Sequence, residues 1–248
     1  MQLRTLSAPG LRVTCIFMIA GAILASFTLP AAAAPPDATK PQSPIISQVE
    51  APRPQLTVKW WQSFMSLSGG ASSLDRCDIR SGNIVFLAGI STEPEPSPRQ
   101  CTVKPNQSLL IPIINVECST IEGNGDTLAA LNDCASHQFA DNFTNLKLVI
   151  DGSPLADPAR LRVNSGLFKF TMALDNPFGT TPADPDGSGP LQAPSLPAKT
   201  QSVSDGYWAL VPPLPPGSHT ITFGGEFPTC NCPGSFTTEV TYNLTVTK

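Results

Sequence analysis

The segment spanning residues 205–227 concentrates side chains that could perform acid–base chemistry. It holds His219 between two carboxylates, Asp205 and Glu226, and Glu117 is a further acidic candidate elsewhere in the chain. A histidine close to a carboxylate can act as a general base or as a metal ligand. These four residues are therefore the candidate catalytic set of a hydrolase or lyase.

The same segment also has the features of a scaffold. Two predicted strands, residues 207–211 and 219–223, flank a connection that is rich in proline and closed by a glycine, which suits a turn. His219 alternates with Ile221 and Phe223, so it lies on the apolar face of its strand. We favour a structural histidine that hydrogen-bonds a neighbour, and we expect the two strands to form a hairpin.

One short segment suggests a metal ion. Asp184 and Asp186 lie in the sequence DPDGSG, which resembles the start of a calcium-binding loop with oxygen ligands at alternating positions. The twelfth position would be Ser195 rather than a bidentate glutamate, so a plain turn is the favoured alternative. Calcium is the one cofactor that the sequence suggests, because His137 and His219 form no metal-ligand spacing.

Two aromatic pairs could stack on sugar rings. They are Trp60 with Trp61, and Tyr207 with Trp208. Adjacent residues of regular structure point in different directions. We therefore favour core packing over a glycan-binding platform.

The N-terminus has the features of a secretory signal peptide. Arg4 and Arg12 precede an apolar run over residues 13–29, and four alanines follow at 31–34, which predicts cleavage after Ala33. An uncleaved membrane anchor is the alternative, because residues 13–34 are long enough to span a bilayer. No later stretch is apolar for long enough to do so.

Removal of residues 1–33 takes away two arginines and no acid, so the formal net charge moves from -4 to -6. The basic residues are scattered and outnumbered, whereas nucleic-acid binding requires a basic stripe. The sequence predicts no nucleic-acid partner and a secreted, extracellular or periplasmic protein.

Six cysteines follow the signal peptide, an even number that favours disulfides in an exported chain. We expect Cys77 to pair with Cys101, and Cys118 with Cys134, because each bridge would join segments that are predicted neighbours. The last two cysteines would form a strained ring if bridged to each other; in an alternative pairing they reach Cys118 and Cys134 separately. The six are Cys77, Cys101, Cys118, Cys134, Cys230 and Cys232.

The remaining patterns predict a mainly β domain. Residues 34–55 form a predicted Pro-rich disordered tether, and residues 56–60 form a predicted short strand. Trp61, Phe64 and Met65 then repeat at helical spacing until Gly69-Gly70, and residues 127–143 form a predicted helix capped by Asp126. Apolar runs at 84–88 and 109–114 predict strands covered on both faces, with a bulge or sheet edge at Pro112.

Further strands are predicted at 146–150, 161–163, 167–174 and 236–246. The last of these alternates strictly between apolar and polar residues, and Asp151-Gly152 is a turn signal. The fold class is therefore an antiparallel β-sandwich or jelly roll with one or two short helices, which forms a single domain over residues 56–248.

The chain also resembles a family of uncharacterised exported bacterial proteins. The resemblance implies secretion and a β-sandwich, and it assigns no activity or catalytic residue. The chain departs from the family pattern at Asn106, where a glycine commonly follows the proline. The segments that carry the resemblance are IVFLAG (84–89), RQCTVKPNQSLLIPIIN (99–115), VECSTIEG (116–123), LKLVIDG (146–152) and SDGYWALVPPLPPGSHTITFGG (204–225).

These observations favour an exported, disulfide-stabilised binding module. Its expected partner is a glycan or another envelope component, bound through loops on a rigid scaffold. A secreted hydrolase or lyase that uses His219 and acidic residues is one alternative. A structural or adhesion module without a small ligand is the other.

Overall fold

Two five-stranded sheets form the framework, and they confirm the mainly β, sandwich-like prediction. The computed structural model describes residues 44–89, 98–178, 198–228 and 236–248. The predicted signal peptide, the candidate calcium ligands Asp184 and Asp186, and the cysteines Cys230 and Cys232 lie outside these residues.

The first sheet has the strand order β1-β2-β4-β8-β7 and the second has the order β3-β10-β9-β5-β6. Most neighbours are antiparallel, but β2 pairs with β4 and β3 pairs with β10 in parallel, so both sheets are mixed. The strands are β1 (Arg80–Ser81), β2 (Ile84–Phe86), β3 (Arg99–Val103), β4 (Ser108–Ser119), β5 (Thr144–Ile150), β6 (Ser153–Pro154), β7 (Leu167–Met172), β8 (Ala198–Val211), β9 (Gly217–Phe227) and β10 (Phe236–Val246), and the α-helices are α1 (Pro54–Met65) and α2 (Leu128–Asn132).

Both faces of the first sheet are covered, as its uninterrupted apolar runs predicted. Leu109 and Ile111 of β4 pack into the main core between the sheets, whereas Leu110 packs into a second core beneath α1. Trp208 of β8 lies in that second core with Trp60 of the helix, their ring centroids 5.3 Å apart. The sandwich therefore has a helical third layer on one side.

The bulge predicted at Pro112 is present. The register between β4 and β8 shifts between Pro112 and Ile114, because proline has no N–H to donate to a ladder. Beyond the shift, Gly206 adopts a φ of 150° opposite Asn115, and a Cβ atom there would lie 2.5 Å from the Cα of Asn115. Only glycine fits this close approach.

The N-terminal part of the domain differs from the prediction. Residues 56–60 belong to α1 rather than to a strand, and packing begins before Leu56, since Ile46 and Val49 are buried in the main core. Pro54 suits the first turn of the helix, where no N–H is required. The buried residues Thr57, Trp60, Trp61 and Phe64 follow helical spacing. An extended tether through residue 55 is therefore wrong at its C-terminal end.

The predicted helix over residues 127–143 is present but irregular. It begins as α2 and continues as a π-helical segment, Asp133–Phe139, and a 3₁₀ turn, Ala140–Asn142. Its cap is Thr127, whose hydroxyl accepts a hydrogen bond from the N–H of Ala130, and not Asp126.

The connection after β8 also differs from the prediction. β8 and β9 occupy their predicted positions but do not pair with each other, since β8 belongs to the first sheet and β9 to the second. The predicted hairpin is therefore wrong. The prolines between them carry no N–H groups for a two-stranded turn, and the chain crosses instead from one sheet to the other.

A predicted strand at residues 161–163 is likewise replaced by irregular structure. A 3₁₀ turn, Pro158–Leu161, is followed by a single bridge between Arg162 and Tyr207. By contrast, the alternation of β10 is confirmed, because its residues from Thr238 to Val246 are alternately buried and solvent-facing.

Candidate functional site

His219 lies near the start of β9, and its side chain is 9 % exposed. Its Nδ1 is 2.7 Å from Oδ2 of Asp151, and its Nε2 is 2.8 Å from the carbonyl oxygen of Pro215. Asp151 has a φ of 50° in the turn after β5, and its other carboxylate oxygen accepts the N–H of Thr220 at 2.9 Å.

Both ring nitrogens of His219 therefore face acceptors. A carbonyl and a carboxylate only accept, so both nitrogens are placed to donate, which favours the imidazolium form of the ring. Burial opposes this charge, but the hydrogen bonds to Asp151 and Pro215 and the charge of Asp151 together raise the pKa of His219. An imidazolium has no lone pair for a substrate proton or a metal, so the arrangement fits the structural interpretation of this histidine.

Asp205, one of the two carboxylates predicted as partners of His219, does not contact it. Its carboxylate is buried at 2 % exposure on β8 and accepts hydrogen bonds from Arg162 at 2.9 and 3.1 Å and from Ser136 at 2.7 Å. The N–H of Gly206 and the side chain of Asn164 also donate to it. This carboxylate therefore anchors the π-helical segment and the 158–165 region against β8.

The Asp205 network continues to the surface. Arg162 also donates to Asp141 at 2.6 Å, and Nδ1 of His137 lies 2.8 Å from the other oxygen of that carboxylate. The hydrogen bonds from His137 and Arg162 lower the pKa of Asp141, while Asp141 raises the pKa of His137. His137, which no sequence motif implicated, is thus the exposed end of a chain of paired charges.

Glu226 and Glu117 lie in two further environments. Glu226 accepts a 2.6 Å hydrogen bond from Asn145 at the partly exposed end of β9. Glu117 is buried on β4, where Ser202 donates to its Oε2 while Oε1 has no donor among the described residues. Burial and the neighbouring Glu122 raise the pKa of Glu117 well above its ordinary value, which favours the protonated acid.

The four candidate catalytic residues do not converge. His219 and Glu226 are seven positions apart on β9, which separates them by about 23 Å along the strand and places them on opposite faces. Asp205 pairs in register with Val116, the residue beside Glu117, so Asp205 and Glu117 point to opposite faces of the first sheet. Each therefore belongs to a separate local network.

The four candidate binding aromatics are buried. Trp60, Trp61, Tyr207 and Trp208 are 1, 6, 9 and 0 % exposed, so none presents a ring face to solvent for stacking. The indole N–H of Trp61 donates to Ser204 at 2.7 Å. The adjacent cavity, which Trp60 and Trp61 help to line, measures 90 Å³, well below the roughly 300–1,000 Å³ of typical ligand pockets.

Both predicted disulfides among the described residues are confirmed. Cys77 pairs with Cys101, and Cys118 pairs with Cys134. The first bridge joins the segment before β1 to β3, and so links the edges of the two sheets. The second joins β4 to the π-helical segment.

No group of three or more His, Cys, Asp or Glu within the described ranges is arranged to hold a metal ion.

A groove of 320 Å³ opens beside the Cys77–Cys101 bridge, between the edge strands β1 and β3. Its volume reaches the range of small-molecule sites. Sequence reasoning missed it, but a signal was present. Arg80 and Lys104 each lie three positions after a bridged cysteine, so the predicted disulfide brings the two cations together. The groove is lined by Cys77, Asp78, Arg80, Thr102, Val103, Lys104, Gln107 and Thr247.

Hydrogen-bond donors without partners line this groove. Gln107 is 6 % exposed, and its side-chain oxygen accepts the N–H of Lys104 at 2.7 Å. A backbone N–H only donates, so the accepting atom is Oε1, and the amide Nε2 meets no acceptor among the described residues. The charged groups of Arg80 and Lys104 likewise make no hydrogen bond or ion pair with any residue that the structure describes.

Asp78 is the acidic residue of the groove, and its charge is already balanced. Arg76 donates to both of its carboxylate oxygens, at 2.9 and 2.6 Å. The hydrogen bond from Arg76 lowers the pKa of Asp78. The charge of Arg80 also lowers the pKa of Asp78. Among the residues that line the groove, the two bases Arg80 and Lys104 outnumber the one acid, so its net charge is positive.

Comparisons with known proteins add little to this geometry. No protein-family model matches the chain, and no curated protein matches it. One solved structure, described as the solution structure of amebosin, is 10% identical to the chain and aligns over 66% of this chain and 99% of its own length, with a TM-score of 0.19. A likeness this weak supports no conclusion about fold or function. None of the helices in the described ranges has the length and apolar character needed to cross a bilayer.

Proposed function

We propose that this protein is an exported binding module that holds a glycan or another envelope component in the groove between β1 and β3. The observation that carries the proposal is a contrast between two sets of polar groups. The candidate catalytic residues are engaged in separate structural networks, whereas the groove retains Arg80, Lys104 and Gln107 with unused donors. Unused donors on a rigid wall suit ligand recognition.

The two disulfides support secretion, because disulfide bonds form and persist in oxidising compartments outside the cytoplasm. The bridge beside the groove supports a binding role in a second way. A disulfide limits the relative motion of the segments that it joins, so the two walls are held at a fixed separation. Such preorganisation reduces the conformational entropy lost on binding.

Co-sedimentation of the oxidised, mature protein with insoluble polymers tests this proposal. We would use peptidoglycan sacculi, cellulose and chitin, and compare the wild type with Thr102→Trp, which places a bulky neutral side chain in the groove. Thr144→Trp is the matched control, because Thr144 is also exposed but lies at the other end of the second sheet. We expect Thr102→Trp alone to reduce binding to at least one polymer. Equal sedimentation of both variants and the wild type would refute the groove as the site.

A hydrolase or lyase is the second candidate, because the buried Glu117 has one carboxylate oxygen without a hydrogen-bond donor among the described residues, and Glu122 raises its pKa further. A protonated carboxyl beside a second carboxylate is a common arrangement for general acid catalysis. The assay is release of soluble sugar from the same polymers. If Glu117→Gln abolishes this release and Thr102→Trp retains it, the enzyme is favoured over the binding module.

A further inference from the structure

We infer that the ligand of this groove carries an oxyanion, either a carboxylate or a phosphate. This inference rests on the proposed binding function and specifies the chemistry of its ligand. It begins from Arg80 and Lys104, which both line the groove, one in β1 and the other directly after β3. A guanidinium and an ammonium are both donors without acceptor capacity, so their natural complement is a group that only accepts.

Gln107 adds a directional element to this pair of charges. Its Oε1 is held by the N–H of Lys104, and the turn is closed by a 3.1 Å hydrogen bond from the N–H of Gln107 to the carbonyl of Lys104. The side chain is almost fully buried, so its orientation is fixed. Nε2 itself reaches solvent, since it is not one of the buried side-chain atoms without a hydrogen bond, and it can therefore donate to a ligand in the groove. An anionic oxygen at the groove would satisfy Nε2 while it contacts the two cations.

The chemistry of the remaining wall agrees with an anionic rather than a neutral ligand. Neutral sugars are commonly held by an exposed aromatic ring, and no aromatic side chain lines this groove. The walls contribute hydroxyl groups from Thr102 and Thr247 and apolar surface from Val103 and the disulfide. The positive charges of Arg80 and Lys104, which outnumber the single acid of the groove, are therefore the dominant recognition element.

Three probes of similar size separate the oxyanion from the sugar ring: glucose, glucuronate and glucose 6-phosphate. Binding to the oxidised protein is followed by NMR through the side-chain amide signals of Gln107 and the backbone amide of Lys104. We expect the carboxylate or the phosphate to shift these signals, and glucose to leave them unchanged. The two acidic probes distinguish between the two sources of the oxyanion.

Charge-removing variants then test whether the groove is responsible. Arg80→Gln and Lys104→Gln should each weaken binding of the acidic probe about tenfold, because each removes one charge-assisted hydrogen bond in a partly solvated site. Lys169→Gln is the matched control, since Lys169 is an exposed lysine on β7, at the far edge of the first sheet. It should leave binding unchanged. Binding should also weaken as the ionic strength rises.

The outcomes separate this inference from the proposed function. Equal shifts of the NMR signals with glucose and with the acidic probes would overturn the inference that the ligand carries an oxyanion. The groove would remain the binding site. The same conclusion would follow if no acidic probe shifted the signals but Thr102→Trp still abolished polymer binding. Acidic-probe binding that persists in the Arg80→Gln, Lys104→Gln double variant would also overturn it.

Discussion

The ion pair between Arg162 and Asp205 provides a quantitative test of how the irregular helix is held against β8. We expect Arg162→Met to lower the free energy of unfolding by about 2–3 kcal/mol. Methionine retains the apolar stem of the arginine, so the change removes mainly the charge and its hydrogen bonds. Loss of one partner of a buried pair destabilises by roughly 3–5 kcal/mol, because the other charge is left uncompensated.

Two features of the site place the expected loss at or below the lower end of that range. The side chain of Asp205 is 3% exposed, but that of Arg162 is 33% exposed, so water reaches one side of the pair. The hydrogen bonds from Ser136 and from the N–H of Gly206, both 2.7 Å long, also remain after the substitution. They continue to stabilise the carboxylate.

Urea unfolding of the oxidised protein, followed by tryptophan fluorescence, measures this loss. Arg76→Met is the control, because Arg76 and Asp78 form an exposed pair, and exposed pairs contribute little to stability. Addition of Asp205→Asn to Arg162→Met should restore part of the lost stability, since the uncompensated charge is then removed. A loss below about 1 kcal/mol for Arg162→Met, or one equal to the control, would refute this account of the network.

Two other perturbations test the covalent framework and the histidine. Replacement of Cys118 and Cys134 by alanine should lower the free energy of unfolding by about 3 kcal/mol, because the bridge joins positions 16 residues apart; an unchanged urea midpoint would contradict this. The pKa of His219 is raised on folding, so its pairing with Asp151 stabilises fully below about pH 6.5 and less as the pH rises through the raised pKa. Thermal melts of wild type and His219→Gln should therefore differ more at about pH 5.5 than at about pH 8.5, and an equal or reversed difference would argue against the imidazolium.

Local patterns in the sequence predicted most of the strands, whereas pairing between distant segments was harder to predict. The alternation of β10 and the uninterrupted apolar run of β4 each record which faces are covered, so both could be predicted from the residues alone. The segment 56–60 was ambiguous, because its apolar residues alternate with period two over this short window. Only the continuation to Phe64 and Met65 shows the helical period. The pairing of β8 and β9 with different sheets depends on contacts far along the chain.

The candidate site shows the same division between local and distant information. The apolar face of β9 suggested a structural role for His219, and the hydrogen bonds of its ring fit that role. Its partner, Asp151, lies 68 positions away and could not be chosen over Asp205 or Glu226 from spacing. The groove was within reach of sequence reasoning, because the predicted Cys77–Cys101 bridge already placed its two cations near each other.

The position of Arg80 and Lys104 at sheet edges raises a second explanation for their charge. Charged side chains at edge strands discourage edge-to-edge association, and β1 and β3 are both edge strands. The two roles make different demands on sign, since edge protection works with either charge, whereas oxyanion binding requires a positive one. Lys104→Glu should therefore keep the protein as dispersed as the wild type in analytical ultracentrifugation but abolish binding of the acidic probe. If edge protection were the whole role, Lys104→Gln would promote association, Lys104→Glu would not, and neither would alter the NMR signals recorded with glucuronate.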